Sequence, residues 1–428
     1  MKTPEEFLKD NGFTLAAEID RQALLGAFLS EMEKGLKGEP SSLMMIPTFV
    51  SVTGKIPQGA KAAVLDAGGT NFRGGIVSIP PKIEEKQNQP MPGTKGEVGE
   101  DEFYDAFAAE IKRLEGKATV KKIGWCFSYP AEATKDLDAR LVRWTKNIKA
   151  PAIVGQFVGR ELLKRTGGTE IAVVNDTVAT LLAAKATEGD KTYSSYIGFI
   201  LGTGTNTAYV EKNSNILKMP GLDPDDSMII NAESGAFAKA PQSAFDKAAD
   251  AKTGNPGIGL LEKMIAGAYL GGVGLEIYKA AAKEGLFSGK AAGAIAALPS
   301  LETMDFDNFC AGFRKEGRDN VLDTIFADAD DAKMARRLGV PVFERAAVLT
   351  AIQLAAFVLK SGGGADAAAP VAINADGSTY CKTRAVPFAD TVKKELDDML
   401  VKRRNVHYAI TPQVDDAPMV GAGIAAML

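Results

Sequence analysis

The chain has 428 residues but only one histidine, three cysteines and two tryptophans, and no large excess of either charge. The one histidine, His407, lies in the apolar run NVHYAI, which reads as a strand and gives it a structural place. Serine- or cysteine-hydrolase triads and histidine-rich metal centres are therefore nearly excluded. Acid–base chemistry, if there is any, falls to carboxylates. Cys126, Cys310 and Cys381 are scattered without C-x-x-C spacing. That pattern suits neither a disulfide framework nor a structural zinc site, and it leads us to expect a reducing, cytoplasmic compartment.

Fifty basic against fifty-four acidic side chains give a formal charge of −4. This balance gives nucleic acid or an anionic membrane no global handle, so any phosphate site must be local. The start, MKTPEEFLKDNGF, carries acidic residues where a signal peptide needs a basic start and an apolar core, and no export is expected. The longest uncharged, mostly apolar run covers 346–359 and falls short of the ~20 residues a bilayer crossing needs, so a buried helix is expected there. Nothing points to an obligatory protein partner. A chain this long exceeds the roughly 100–200 residues of one ordinary domain, which implies two lobes.

What is present is an α/β alternation. Residues 1–60 read as helix followed by an irregular segment broken by Pro47 and Gly54. AAVLDAGG and FRGGIVSI are two strands close together, so the window VLDAGGTNFRGGIV (64–77) holds a hairpin turn. The Pro-, Gly- and charge-rich segment 80–99 reads as a mobile loop. Phe103, Phe107, Ile111 and Leu114 recur at helical spacing, and a strand follows at KKIGWCFSY. EIAVVN is a strand running directly into the helical DTVATLLAAKATEG, which puts Asn175 and Asp176 at a strand's carboxyl end. Open α/β sheets favour that place for ligand groups. A second close pair of strands, YIGFIL and NTAYVE, is joined by GTGT. Helices are expected over 258–284 and most of 340–361 and 388–404, strands near 370–374 and 405–411, and a small-residue helix at the end.

In the 64–77 window, Gly68 and Gly69 can expose backbone N–H groups, and Thr70, Asn71 and Arg73 add donors of the kind phosphate oxygens require. Asp66 is placed to accept hydrogen bonds from water around a Mg²⁺. The plainer alternative is an ordinary hairpin turn with a solvated arginine. Gly202, Thr203 and Gly204 supply a second turn of the same kind, and a strand-to-helix carboxylate separates the two, which favours the phosphate reading. Neither turn is a Walker A loop or a Rossmann fingerprint.

LDAGGTNFR, CFSYP, RWTK, VVNDTVATL, GTGTN, NAESGAF, NPGIGLLEKMIAGAYLG and NADGSTYCK occur in this order and resemble the hexokinase family of sugar kinases over about 62–382. The resemblance implies an α/β protein with two ribonuclease H-like (actin-like ATPase) lobes around a deep interdomain cleft. A small lobe of 61–175 with 413–428 would face a large lobe of 1–60 with 176–412. It further implies phosphoryl transfer from ATP, with Mg²⁺, to the 6-hydroxyl of glucose or a related hexose.

On that resemblance Asp176 is the general base and Asn175 holds the sugar, with the helix N-terminus beneath both. Ser128, Thr145 and Lys146 from one lobe and Asn206, Glu233 and Glu262 from the other would bind hexose hydroxyls. Lys146 would also offset charge on the transferring phosphoryl group. The two glycine turns would take phosphates, and Asp376, Gly377 and Ser378 would lie near the adenosine. Two departures from the family pattern stand out. DDAPMVGAGIAAM replaces a glycine-serine-glycine turn at the last helix and bears on donor preference. Ser234 stands where an aromatic residue is common and bears on packing behind Glu233 and on sugar selectivity. Competing readings are a kinase for another sugar such as an N-acetylhexosamine, a catalytically silent hexose sensor, and an actin-like or chaperone ATPase without a sugar pocket.

Overall fold

Apolar runs long enough to be covered on both faces, such as AAVLDA and YIGFIL, build the centres of two separate sheets. The computed structural model describes residues 2–54, 58–144, 148–187, 191–314 and 316–428. Its strands are β1 (Ile46–Pro47), β2 (Lys61–Ala67), β3 (Asn71–Ser78), β4 (Lys82–Pro90), β5 (Lys122–Phe127), β6 (Ala131–Ala133), β7 (Ala139–Leu141), β8 (Glu170–Val174), β9 (Ser195–Leu201), β10 (Thr205–Lys212), β11 (Ser227–Asn231), β12 (Val371–Asp376) and β13 (Tyr408–Ile410). The two main sheets have the orders β4-β3-β2-β5-β8 and β1-β11-β10-β9-β12-β13, and β6 pairs with β7 in a third, two-stranded sheet. In each main sheet, an antiparallel hairpin (β2–β3 or β9–β10) is continued by two parallel strands. The hairpin device read from the sequence is thus the organising unit of both lobes, and the architecture is the expected open α/β fold.

Two expectations need correction. The segment 80–99 is not one loop: β4 pairs antiparallel with β3 from Ser78↔Lys82 to Asn71↔Pro90. Its charges are those of an edge strand, where they keep the exposed ladder soluble and unpaired with other chains. The helix expected over 258–284 is two helices, Leu260–Ile265 and Leu270–Lys283. Between them, the N–H groups of Gly267 and Ala268 donate to the carbonyls of Gly202 and Thr203 (2.8 and 3.1 Å). The interruption therefore serves the GTGT turn. The segment 388–404 is helical as expected, α-helical over Phe388–Leu396 and π-helical over Asp397–Lys402.

His407 precedes β13, and its backbone pairs with Gly364 and Val371, a structural place as expected. The apolar run 346–359 belongs to the helix Ala329–Lys360, which is long and apolar enough to cross a membrane by length and composition but is buried in the core of the six-stranded sheet.

The helix Asp176–Ala186 is gripped from two sides. The terminal helix Ala417–Met427 packs along it so closely that a Cβ on Gly421 would stand 1.8 Å from the carbonyl oxygen of Ala179. On the other side, a Cβ on Gly198 of β9 would stand 2.2 Å from the carbonyl oxygen of Thr177. Backbone meets backbone at both contacts, so no side-chain rotation can make room.

Gly421→Ala should therefore lower stability by about 3 kcal/mol or more, the upper range for overpacking. Gly293→Ala, at an exposed site inside the helix Gly289–Ala297 with open space around it, should add roughly 0.5–1 kcal/mol. Thermal denaturation of the two variants checks both signs.

Candidate active site

β2, β5 and β8 run parallel, with Asp66 opposite Cys126 and Cys126 opposite Val174. This register lines up Asp66, Ser128 and the Asn175–Asp176 junction along one carboxyl edge. Asn175 caps the helix: its Oδ1 accepts from the Thr177 N–H (2.9 Å) and hydroxyl (2.7 Å). Asp176 is the first helical residue, and its Oδ1 accepts from the same N–H (2.9 Å). The positive end of the helix favours a carboxylate there. Ser128 Oγ lies 3.8 Å from Cys126 Sγ.

Asp66 is 7% exposed and stands directly across the hairpin from Arg73. Its Oδ2 accepts from Arg73 Nε (2.9 Å) and Nη2, while Arg73 Nη1 reaches Asp416 Oδ1 (2.5 Å). Lys86 donates to the other Asp416 oxygen (2.6 Å). Arg73 is therefore not the solvated arginine of an ordinary turn but a bridge from the hairpin to the start of the terminal helix. Burial opposes its charge, yet the two carboxylates hold its pKa above the ordinary arginine value. At the tip, the Gly68 N–H closes on the Asn71 carbonyl (3.1 Å), Tyr129 donates to the Gly68 carbonyl, and Gly69 is half-buried. Thr70 and Asn71 are exposed.

The second lobe's contribution centres on Asn206, in the β10 arm of its hairpin. Its Nδ2 donates to Asn231 Oδ1 (2.7 Å) and Glu233 Oε1 (3.3 Å), and lies 3.5 Å from Asn175 Oδ1 and 3.4 Å from Thr177 Oγ1. Asn231 Nδ2 also donates to Glu233 Oε1 (2.9 Å). Glu233 holds a left-handed backbone, φ 54°, a strained conformation for a residue with a side chain, of the kind that gathers at functional sites. Glu262 accepts from the Thr205 N–H (2.9 Å) and from the Tyr269 hydroxyl (3.4 Å). Burial pushes the Glu233 carboxyl above the ordinary range. Asn231 opposes that rise, and the neighbouring charges of Asp176 and Glu262 add to it. Burial likewise raises Glu262 against the Thr205 N–H.

The turn 202–204 lies beside the carboxyl end of β12, because Ile200 is registered with Asp376. Gly377, with φ 111°, approaches so closely that a Cβ on it would stand 2.3 Å from the Leu201 carbonyl oxygen. Thr379 Oγ1 donates to the Gly202 carbonyl (2.9 Å), and Asp376 Oδ1 accepts from the Gly377 N–H (2.6 Å). Gly202, Thr203, Gly204, Asp376, Gly377 and Ser378 thus form one ledge with the Thr203 and Ser378 side chains exposed.

The structure brings together Asn175, Asp176, Asn206, Glu233 and Glu262, and separately Asp66 with Arg73. Thr145 and Lys146 lie outside the described residues. Trp144, just before them, packs edge-on against Tyr129 (4.7 Å) and donates to the Ala150 carbonyl (2.8 Å). Sequence reading missed Asn231, Thr177, Tyr269 and Asp416. An asparagine ending the apolar strand SMIIN was a usable signal for Asn231, whereas Asp416 meets Arg73 only through the fold.

Two open sheets, each led by a hairpin, with a half-buried carboxylate at a strand-to-helix junction between them, define a two-lobed α/β protein of the actin-like ATPase class. Two family models described as Hexokinase match residues 196–428 and 13–186. Hexokinase-1 of Schizosaccharomyces pombe is 30% identical, covering 97% of this chain and 89% of that protein. Human Hexokinase-2 is 32% identical over 83% of this chain, which spans 41% of that longer protein. A solved structure described as hexokinase from Schistosoma mansoni complexed with glucose superposes with a TM-score of 0.77 at 26% identity, covering 100% of both chains. The chain belongs to the hexokinase family.

The raised carboxyls of Glu233 and Glu262 set a testable pH dependence. When folded they retain protons that the unfolded chain has released, so their contribution to stability is full below about pH 4 and is lost as pH rises through the folded values. Glu233→Gln keeps an acceptor for Asn231 and removes that loss. Its melting temperature should exceed that of the parent by ~1–3 °C at pH 7, with the gap closing near pH 4, as followed by scanning calorimetry.

Proposed function

We propose that this protein transfers the γ-phosphoryl group of ATP to the 6-hydroxyl of glucose or a closely related hexose. The observation that carries the reading is the polar cluster in which Asn206 joins Asn175 of one sheet to Asn231 and Glu233 of the other, with Asp176 beside it. Neighbouring sugar hydroxyls need closely spaced acceptors and donors. Glu233 and Glu262 supply acceptors, and Asn175 and Asn206 supply both.

In this reading Asp176, the first residue of its helix, takes the proton from the attacking hydroxyl. Ser128, Thr145 and Lys146 complete the sugar contacts, and Lys146 offsets charge on the transferring group. The hairpin tip at Gly68, Gly69, Thr70 and Asn71 takes phosphate oxygens. Arg73 adds a cation whose orientation is held by Asp66 and Asp416. The ledge of 202–204 and 376–378 takes the rest of the nucleotide. Mg²⁺ bound with ATP would neutralise phosphate charge, and Asp66 would hold it through water, as suits an ion that keeps most of its hydration.

We assign 61–175 and 413–428 to the small lobe and 1–60 and 176–412 to the large one, supported by the confinement of one sheet to 61–174. Three free cysteines, two of them buried, support a cytoplasmic setting.

A coupled ADP-release assay across glucose, mannose, fructose and N-acetylglucosamine, with and without Mg²⁺, tests the reading. Hexose-dependent and Mg²⁺-dependent release is expected. Hexose binding without release would instead indicate a sensor, and hydrolysis indifferent to sugar an ATPase. Asp176→Ala should still bind glucose by calorimetry but lose about 10²-fold or more in kcat, the scale of general-base removal. Near-normal turnover would eliminate that role.

A further inference from the structure

We propose that Gln353, on the helix Ala329–Lys360, is a positioning residue that sets hexose affinity by fixing Glu233 from behind. The inference rests on the reading of Glu233 as a sugar ligand. Gln353 is fully buried, as are Thr207 and Ser234. Its Nε2 donates to Thr207 Oγ1 (2.8 Å) and Ser234 Oγ (3.0 Å), and the two hydroxyls stand 3.0 Å apart. Thr207 follows Asn206 in the chain, and Ser234 follows Glu233. The same two residues are held again through their backbone N–H groups, which donate to Asn206 Oδ1 (2.7 and 3.2 Å). Two carboxamides thus clamp one pair of residues, Asn206 on the sugar side through backbone and Gln353 on the core side through hydroxyls.

This double hold falls where the chain needs it. Glu233 occupies left-handed φ without being glycine, a conformation that persists only when its surroundings over-determine it. The next residue, Ser234, is the one Gln353 grips. Packing alone does not explain a glutamine there. Its Oε1 has no hydrogen-bond partner among the described residues, and a buried unpaired acceptor is destabilising relative to an apolar side chain of the same size. The polar group is retained at a cost to the core, and the two groups it holds adjoin two of the proposed sugar ligands.

Gln353→Met keeps the volume and removes both donors, while Thr207 and Ser234 can still bond each other. It should raise KM for glucose, and the dissociation constant for glucose measured calorimetrically without ATP, by about tenfold, the scale of one hydrogen bond's net worth. KM for ATP and kcat should stay within about twofold, because the groups on ATP and on the transferred proton are untouched. Ser234→Ala should shift glucose affinity the same way, and adding it to Gln353→Met should change little more, as expected of residues acting through one network. Unchanged glucose affinity in the folded variants overturns the proposal, as do fully multiplicative effects or a joint rise in both KM values. A parent protein that phosphorylates hexose while its variants keep normal glucose KM loses only the positioning role. A parent with no hexose-dependent ADP release loses the sugar-kinase reading and this proposal with it.

Discussion

The helix beginning at Asp176 is wedged between the terminal helix and strand β9 by contacts of backbone on backbone. Gly421 of the terminal helix meets the carbonyl of Ala179, and Gly198 of β9 meets that of Thr177, with no side chain between to yield. The junction Asn175–Asp176 is therefore placed by the rigid parts of both lobes at once. The candidate base and its capping asparagine inherit that placement, and so does the 3.5 Å approach of Asn206. Preorganisation of this kind suits a site that must hold an alcohol against a carboxylate.

Around that junction the electrostatics are divided by type of neighbour. Asp176, Glu233 and Glu262 bring three carboxyls into one region, and neutral carboxamides stand among them. Asn206 and Asn231 both donate to Glu233, and the Arg143 charge also favours its ionised form, so part of the repulsion is offset. Burial still leaves Glu233 and Glu262 raised. At the other hairpin the balance is ionic: Asp66 and Asp416 share Arg73, and Lys86 completes the group. One region thus sets carboxyls among neutral carboxamides, and the other sets paired charges beside the Gly68 turn.

Much of this was legible before any coordinates. Each glycine turn between two apolar strands is a local signal, and both hairpins form where the residues place them. Phe103, Phe107, Ile111 and Leu114 are buried along one helix face as their spacing requires. The change from EIAVV to DTVATLL marks the strand-to-helix junction to the residue. The errors were also local. β4 reads as loop in the sequence because an edge strand and a solvated loop share a charged composition. The segment 258–284 reads as helix throughout because nothing in Ala266–Tyr269 announces that the N–H groups of Gly267 and Ala268 serve Gly202 and Thr203.

Residue order by itself determined most of the elements, the two turns and which carboxylates stand at strand ends, because these follow from periodicity and backbone preference within a few residues. The tertiary structure alone decided the partners: Arg73 with Asp416 across 343 positions, Gln353 with Thr207 across 146, and Asn206 with Asn175 across 31. Such pairings depend on how sheets and helices stack, and the energy selecting them is spread over buried surface that no short segment contains.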